Sequence, residues 1–215
     1  MKLKTLFIAI ACMAATACSA PADHRQGVYM LLDTSGTYTQ ELNKAQSIMN
    51  YVLAKLDSAD VFAVARIDTA SFSEKDIIAK VSFDEQPSRA NQQKRAFLEN
   101  INRFVKEVKS STYTDITGGL LQGVEFLREA GTGSKTILIF SDMKEEIPAG
   151  YVRDVPLDLT GIQVVALNVT KLRGDNIDPR EYAGRLEAWR GKVERAGGQF
   201  RIINDLERLE SIVQE

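Results

Sequence analysis

The chain has 215 residues, 44% of them hydrophobic, which is enough for one well-filled domain and strained for two. Its formal net charge of −2 gives no basic face for a nucleic-acid partner. No Gly-x-x-x-x-Gly-Lys-Ser/Thr loop is present to cradle a nucleotide.

Residues 1–17 read as an export signal: Lys2 and Lys4 supply a positive start, Leu6 to Ala17 form a short apolar stretch, and small residues follow. The stretch falls short of the roughly 20 apolar residues that span a bilayer. Both cysteines, Cys12 and Cys18, lie in this region, so the exported domain has none with which to build a disulfide. Ala15-Thr16-Ala17-Cys18 resembles the lipobox of bacterial lipoproteins, although the common Leu three residues before the cysteine is missing. The resemblance implies that Cys18 is lipidated and becomes the N-terminus, and Ser19 in place of Asp points to the outer membrane. An ordinary Ala-x-Ala cleavage site is the other reading, and it would leave a soluble periplasmic protein. Residues 18–26, small and polar with one Pro, read as the lipidated cysteine and a tether, and residues 27–215 as the domain.

From Val28 onward strand and helix signals alternate. Val28 to Leu32 is a continuous apolar run, as a strand covered on both faces requires. Leu42, Ala45, Met49, Val52, Leu53 and Leu56 fall on one helical face, and Val61 to Ile67 is a second buried strand. Ile77 to Phe83 alternates apolar with polar, the period of a strand open to water on one face. Only a loop separates it from the strand before, so the pair should form a hairpin with an antiparallel strand at the sheet edge.

Leu98, Ile101, Val105 and Val108 mark a helix from about Ser88 to Val108, and Leu120, Leu121, Val124 and Leu127 a short one ending near Gly131. Thr136 to Phe140 and Ile162 to Val169 are strands, and Tyr182, Leu186, Trp189, Val193 and Ala196 line a long helix. Phe200 to Ile203 is the last strand, followed by a terminal helix. The alternation implies one α/β domain with a largely parallel sheet between helices.

In such sheets, ligands sit outside the carboxyl ends of the strands. Three polar clusters qualify: Asp33, Ser35 and Thr37; Thr114 and Asp115; and Ser141 with Asp142. Oxygen donors of this kind suit a hard cation, and no adjacent base is present to activate a hydroxyl for covalent chemistry. Taken singly, each has a simpler reading. Thr37 or Thr39 would cap a helix beginning near Thr39, and Thr114 or Asp115 the helix that follows.

Together, Asp33-x-Ser35-x-Thr37, then Thr114-Asp115-Ile116-Thr117-Gly118-Gly119, then Ile139-Phe140-Ser141-Asp142 resemble the metal-ion-dependent adhesion site of von Willebrand factor type A domains. The resemblance covers nearly all of residues 27–215. It implies a doubly wound, mostly parallel six-stranded sheet with one antiparallel edge strand and helices on both faces. It also implies a Mg²⁺ or Mn²⁺ held by Asp33, Ser35, Thr37, Thr114 and Asp142, with an open position for an Asp or Glu carboxylate of a partner protein. Thr37 stands where Ser is commoner and keeps the hydroxyl; Met143 stands where Gly often follows the last Asp. On this reading the protein is a binding module, not an enzyme.

Two rivals remain. Asp33-Thr34-Ser35-Gly36-Thr37 also resembles the phosphorylated motif of haloacid-dehalogenase-type phosphatases, with Asp33 as nucleophile, Lys171 neutralising phosphate, and Asp175 and Asp178 as Mg²⁺ ligands. Ser35 stands where that family wants Asp or Thr, and the Thr114 cluster would have no role. The third reading is a structural lipoprotein whose metal only staples loops. Further residues are read plainly: His24 as solvated, Trp189 as core, Arg173-Gly174-Asp175 as a coincidental triplet, and Glu145 with Glu146 as a solvated charge pair.

Overall fold

A computed structural model describes residues 23–67, 73–151, 153, 155–172 and 174–204, with the backbone alone for Thr37, Thr39, Gln40 and Gly174. The export signal, Cys18, most of the tether, Arg173 and the expected terminal helix lie outside the described residues.

The sheet is built on β1 (Gln26–Asp33), whose side chains are buried from Gly27 onward. It pairs in parallel with β2 (Val61–Ile67) on one side, Val28 beside Phe62, and with β4 (Ser134–Phe140) on the other, Val28 beside Thr136. β3 (Ile77–Ser82) runs antiparallel to β2 at one edge, as its half-open alternation requires. β5 (Gln163–Leu167) and β6 (Gln199–Ile203) extend the other side in parallel. The six strands lie in the order β3-β2-β1-β4-β5-β6. The winding reverses at β1, so the crevice between β1 and β4 is where loops splay apart and a ligand has room.

Alternate residues of β1 feed two cores. Val28, Met30 and Leu32 pack against α1 (Leu42–Lys55) and α2 (Pro87–Glu107). Tyr29 and Leu31 pack against α3 (Ile116–Ala130) and α4 (Pro179–Arg195). Phe97 stacks on Phe62, ring centroids 4.9 Å apart, anchoring α2 through a residue absent from its expected apolar face.

Some boundaries differ from expectation. The first strand begins at Gln26, inside the expected tether, because the Arg25 carbonyl already accepts the Gly133 and Ser134 amides. No α-helix begins near Thr39; a 3₁₀ turn at Gly36–Glu41 precedes α1. The helix expected to be short has 15 residues. Its glycines hid it, since glycine weakens helical propensity. Here they permit close packing: a Cβ on Gly119 would come within 2.8 Å of Leu31, and one on Gly123 within 2.9 Å of Tyr29. The crossover from β4 to β5 has no helix among the described residues, and Pro148 and Pro156 interrupt it. No helix among the described residues is long and apolar enough to cross a membrane.

Candidate metal centre

Asp33 ends β1 with its side chain 0% exposed. One carboxylate oxygen accepts the Ser35 amide at 2.8 Å and the Ser35 hydroxyl at 2.6 Å; the other accepts the Ser141 hydroxyl at 2.7 Å. Ser141 in turn accepts the Met143 amide at 3.0 Å, tying the turn after β4 to the end of β1. The Ser35 hydroxyl gives its proton to Asp33 and keeps oxygen lone pairs for another ligand.

The loop before α3 is drawn into the same crevice from both sides. Ser111 donates its amide to the Thr34 carbonyl at 2.9 Å, in a parallel bridge with Ser35. Thr114 and Glu146 exchange amide bonds of 2.8 and 2.9 Å, joining that loop to the segment after β4. The two readings of Thr114 and Asp115 thus separate by residue. Asp115 caps α3 by accepting the Gly118 amide at 2.8 Å and pairs with Arg153. Thr114, 2% exposed, has a hydroxyl that bonds to no described residue.

Asp142 follows β4, accepting the Lys144 amide at 2.8 Å. Asp33, Ser35, Thr114 and Asp142 therefore sit on loops converging at the β1/β4 crevice, and the Thr37 backbone lies in the adjoining 3₁₀ turn. Burial is the main influence on Asp33 and pushes its carboxyl above the usual range; the Ser35 and Ser141 bonds pull against it, and the Glu146 charge adds to the rise. Asp142 is raised too, first by burial, against the pull of the Lys144 amide, and then by the charge of Asp33.

The contrast with other buried acids carries the argument. Asp115 pairs with Arg153, Asp175 with Arg185 at 2.7 Å, and Asp76 with Arg66 at 3.3 Å. Asp60 takes two backbone amides, from Gln26 and Asp57. Among the described residues no Lys or Arg is ion-paired with Asp33 or Asp142, although the two carboxylates repel each other. Buried charge is ordinarily paired or bound to a metal. The donor set, two carboxylates and neutral hydroxyls, fits a hard divalent cation.

Helix α4 holds the Asp142 turn by side chains three and four residues apart. Arg185 donates to the Asp142 carbonyl at 3.0 Å, Trp189 donates its indole N–H to the Met143 carbonyl at 2.8 Å, and Lys192 reaches Glu145 at 3.4 Å. Met143 has φ 64°, the left-handed conformation that explains why glycine suits this position. Its side chain is 1% exposed, so packing retains it.

Several smaller readings are refined. Ser35 precedes the 3₁₀ turn without capping it, its hydroxyl being committed to Asp33. Glu145 is no free charge, since it accepts the Thr117 amide at 2.6 Å as well as pairing with Lys192. Glu146 pairs with Lys144. Asp175 is buried, held below the usual carboxylate range by Arg185, and so is not displayed for adhesion. His24 is exposed and Trp189 is core, as expected. The ties from Ser141, Arg185 and Trp189 were not foreseen, because each acts across more than 40 positions of sequence. The only local signal was Ser141, adjoining Asp142.

No protein-family model matches the sequence, and no curated protein matches it. Among solved structures, a von Willebrand factor type A protein from Catenulispora acidiphila is similar with a TM-score of 0.56 and 16% identity, over 89% of this chain and 41% of that one. The fold is that of a type A domain. The pilus adhesin SpaC from Lactobacillus rhamnosus GG, in its open conformation, is similar with a TM-score of 0.54 and 10% identity, over 90% of this chain and 29% of that one. The chain spans less than half the length of either protein, and at these identities the likeness is one of fold.

Proposed function

We propose that this type A domain binds a protein partner through a Mg²⁺ or Mn²⁺ held by Asp33, Ser35, Thr37, Thr114 and Asp142 and completed by an Asp or Glu of the partner. The observation that carries the reading is Asp33, buried with no cation paired to it among the described residues, near Asp142, a second carboxylate raised by burial, at the winding reversal of the sheet. The cation would supply the missing positive charge and act as an electrophile toward an incoming carboxylate. Hydroxyl ligands leave that electrophilicity less quenched than further carboxylates would. The pilus adhesin among the similar structures accords with a binding role.

The proposal extends to the cell envelope: residues 1–17 export the chain, Cys18 carries a lipid, and the domain stays at the outer membrane. A tether of eight or so residues reaches no more than about 30 Å, so partner and membrane are close. The strand β1 leads from the tether to Asp33, a rise of about 23 Å, which turns the metal away from the lipid. The phosphatase reading is disfavoured because its supposed metal ligands are occupied: Asp175 by Arg185, and Asp178 by Arg180 and the Arg180 amide.

Crosslinked pull-downs from cells, comparing wild type with Asp33→Ala and with chelator, test the metal bridge. A partner set depleted by both perturbations is expected; one unchanged by either defeats the reading. Palmitate labelling of wild type against Cys18→Ala tests the anchor, and an unlabelled wild type rejects it.

A further inference from the structure

Four of the parallel strands begin on a neutral polar residue: Gln26 in β1, Ser134 in β4, Gln163 in β5 and Gln199 in β6. These starts lie at the far end of β1 from Asp33, and there the sheet opens into a cleft of about 260 Å³. Register puts the polar side chains on one face. Thr136 stands beside Val28 and Gln163, Gln163 beside Gln199, and Gln26 beside Ser134 one pleat earlier. Thr136 is 8% exposed, yet its hydroxyl bonds to no described residue. Native folds leave few buried polar groups unanswered, so this one calls for a partner from outside the chain. The carboxamides of Gln26, Gln163 and Gln199 likewise bond to no described residue.

The chemistry of the lining selects the ligand. Each carboxamide offers two N–H donors and a carbonyl acceptor, and each hydroxyl offers both roles. Among the described residues no carboxylate lines the cleft, and the ammonium of its one lysine, Lys135, is bonded to the Thr132 carbonyl. An ion would find no free counter-charge there, whereas a neutral ligand with several hydroxyls answers every uncommitted group. Thr136, Gln163 and Gln199 rise from neighbouring strands spaced about 4.8 Å apart. Alternate equatorial hydroxyls of a pyranose ring have nearly that spacing. The volume, just below that of sites for drug-sized ligands, suits a single ring, with Val28 as an apolar surface against it. We propose that the cleft binds a neutral pyranose through Thr136, Gln163 and Gln199, independently of the metal at the other end of β1.

The probe is methyl β-glucoside, titrated into the full chain labelled at its threonine methyl groups for NMR, with the Thr136 signal assigned by its loss in Thr136→Val. A saturable shift of that signal, the same with Mg²⁺ or chelator, is expected. Gln163→Leu and Gln199→Leu should each weaken binding about tenfold, as loss of a carboxamide that bonds sugar hydroxyls does. Thr136→Val should be at least as stable to urea as wild type, because it gives up no bond within the chain, and should bind the glucoside more weakly by calorimetry. Methyl β-cellobioside that binds as well identifies the end of a glycan as the ligand, and its exclusion identifies a free sugar; both support the site. An unmoved Thr136 signal, an equal response to glycerol, or undiminished affinity in both Gln variants overturns it. Tighter binding of glucuronate than of the glucoside also overturns it, by showing an anion site.

Discussion

Met143 sets two effects against each other at the turn that carries Asp142, and replacing it by Gly and by Ala separates them. Its φ of 64° is unfavourable for an L-residue by about 1 kcal/mol, which glycine would recover. Its side chain is 1% exposed, and losing it costs about 3 kcal/mol. Glycine adds about 0.7 kcal/mol through its greater freedom in the unfolded chain. Met143→Gly is therefore expected to lose about 2 to 3 kcal/mol. Met143→Ala loses the same packing, recovers no backbone strain and should be less stable than the Gly variant by a few tenths of a kcal/mol. Urea unfolding of wild type and both variants, in chelator, measures the differences. A Gly variant as stable as wild type would show that strain outweighs packing. An Ala variant clearly more stable than the Gly variant would refute the account of the turn.

Arg185→Met removes the donor to the Asp142 carbonyl and should weaken Mn²⁺ binding by about tenfold, as loss of a positioning group around a metal typically does. Unchanged affinity in a folded variant would show that α4 does not orient the ligand. The pH dependence has a defined sign. Without a cation, Asp33 and Asp142 have raised pKa values, so their contribution to stability is present in acid and is lost as pH rises through those values. A bound cation replaces the proton, so the rise in melting temperature on adding Mg²⁺ should be larger at about pH 7 than at about pH 5. Equal shifts at both would contradict it.

What the sequence disclosed and what it concealed follow from the range of the forces involved. β2 and β3 were legible because burial on both faces writes itself into the near-continuous apolar run of Val61–Ile67, and burial on one face into the alternation of Ile77–Ser82. The length of α3 was not, since Gly118, Gly119 and Gly123 lower local propensity, and Gly119 and Gly123 make room for Leu31 and Tyr29 in a packing visible only in three dimensions. At the candidate site, Asp33, Ser35, Thr114 and Asp142 were named through the resemblance of three ordered clusters to the type A adhesion site, and the structure brings their segments to one crevice. Asp115 looked equally eligible, and only the Gly118 amide and Arg153 show it engaged as a cap and an ion pair. The hold of Arg185 and Trp189 on successive carbonyls was invisible for the same reason: backbone acceptors carry no sequence signature.

The central claim is that Asp33 and Asp142 share a divalent cation, and direct Mn²⁺ titration followed by electron paramagnetic resonance tests it most simply. The account predicts one saturable site in the wild type, competed by Mg²⁺, weakened in Thr114→Ala and abolished in Asp33→Ala and Asp142→Ala. Failure of the folded wild type to bind Mn²⁺, or equal binding by the Asp33→Ala variant, would contradict it.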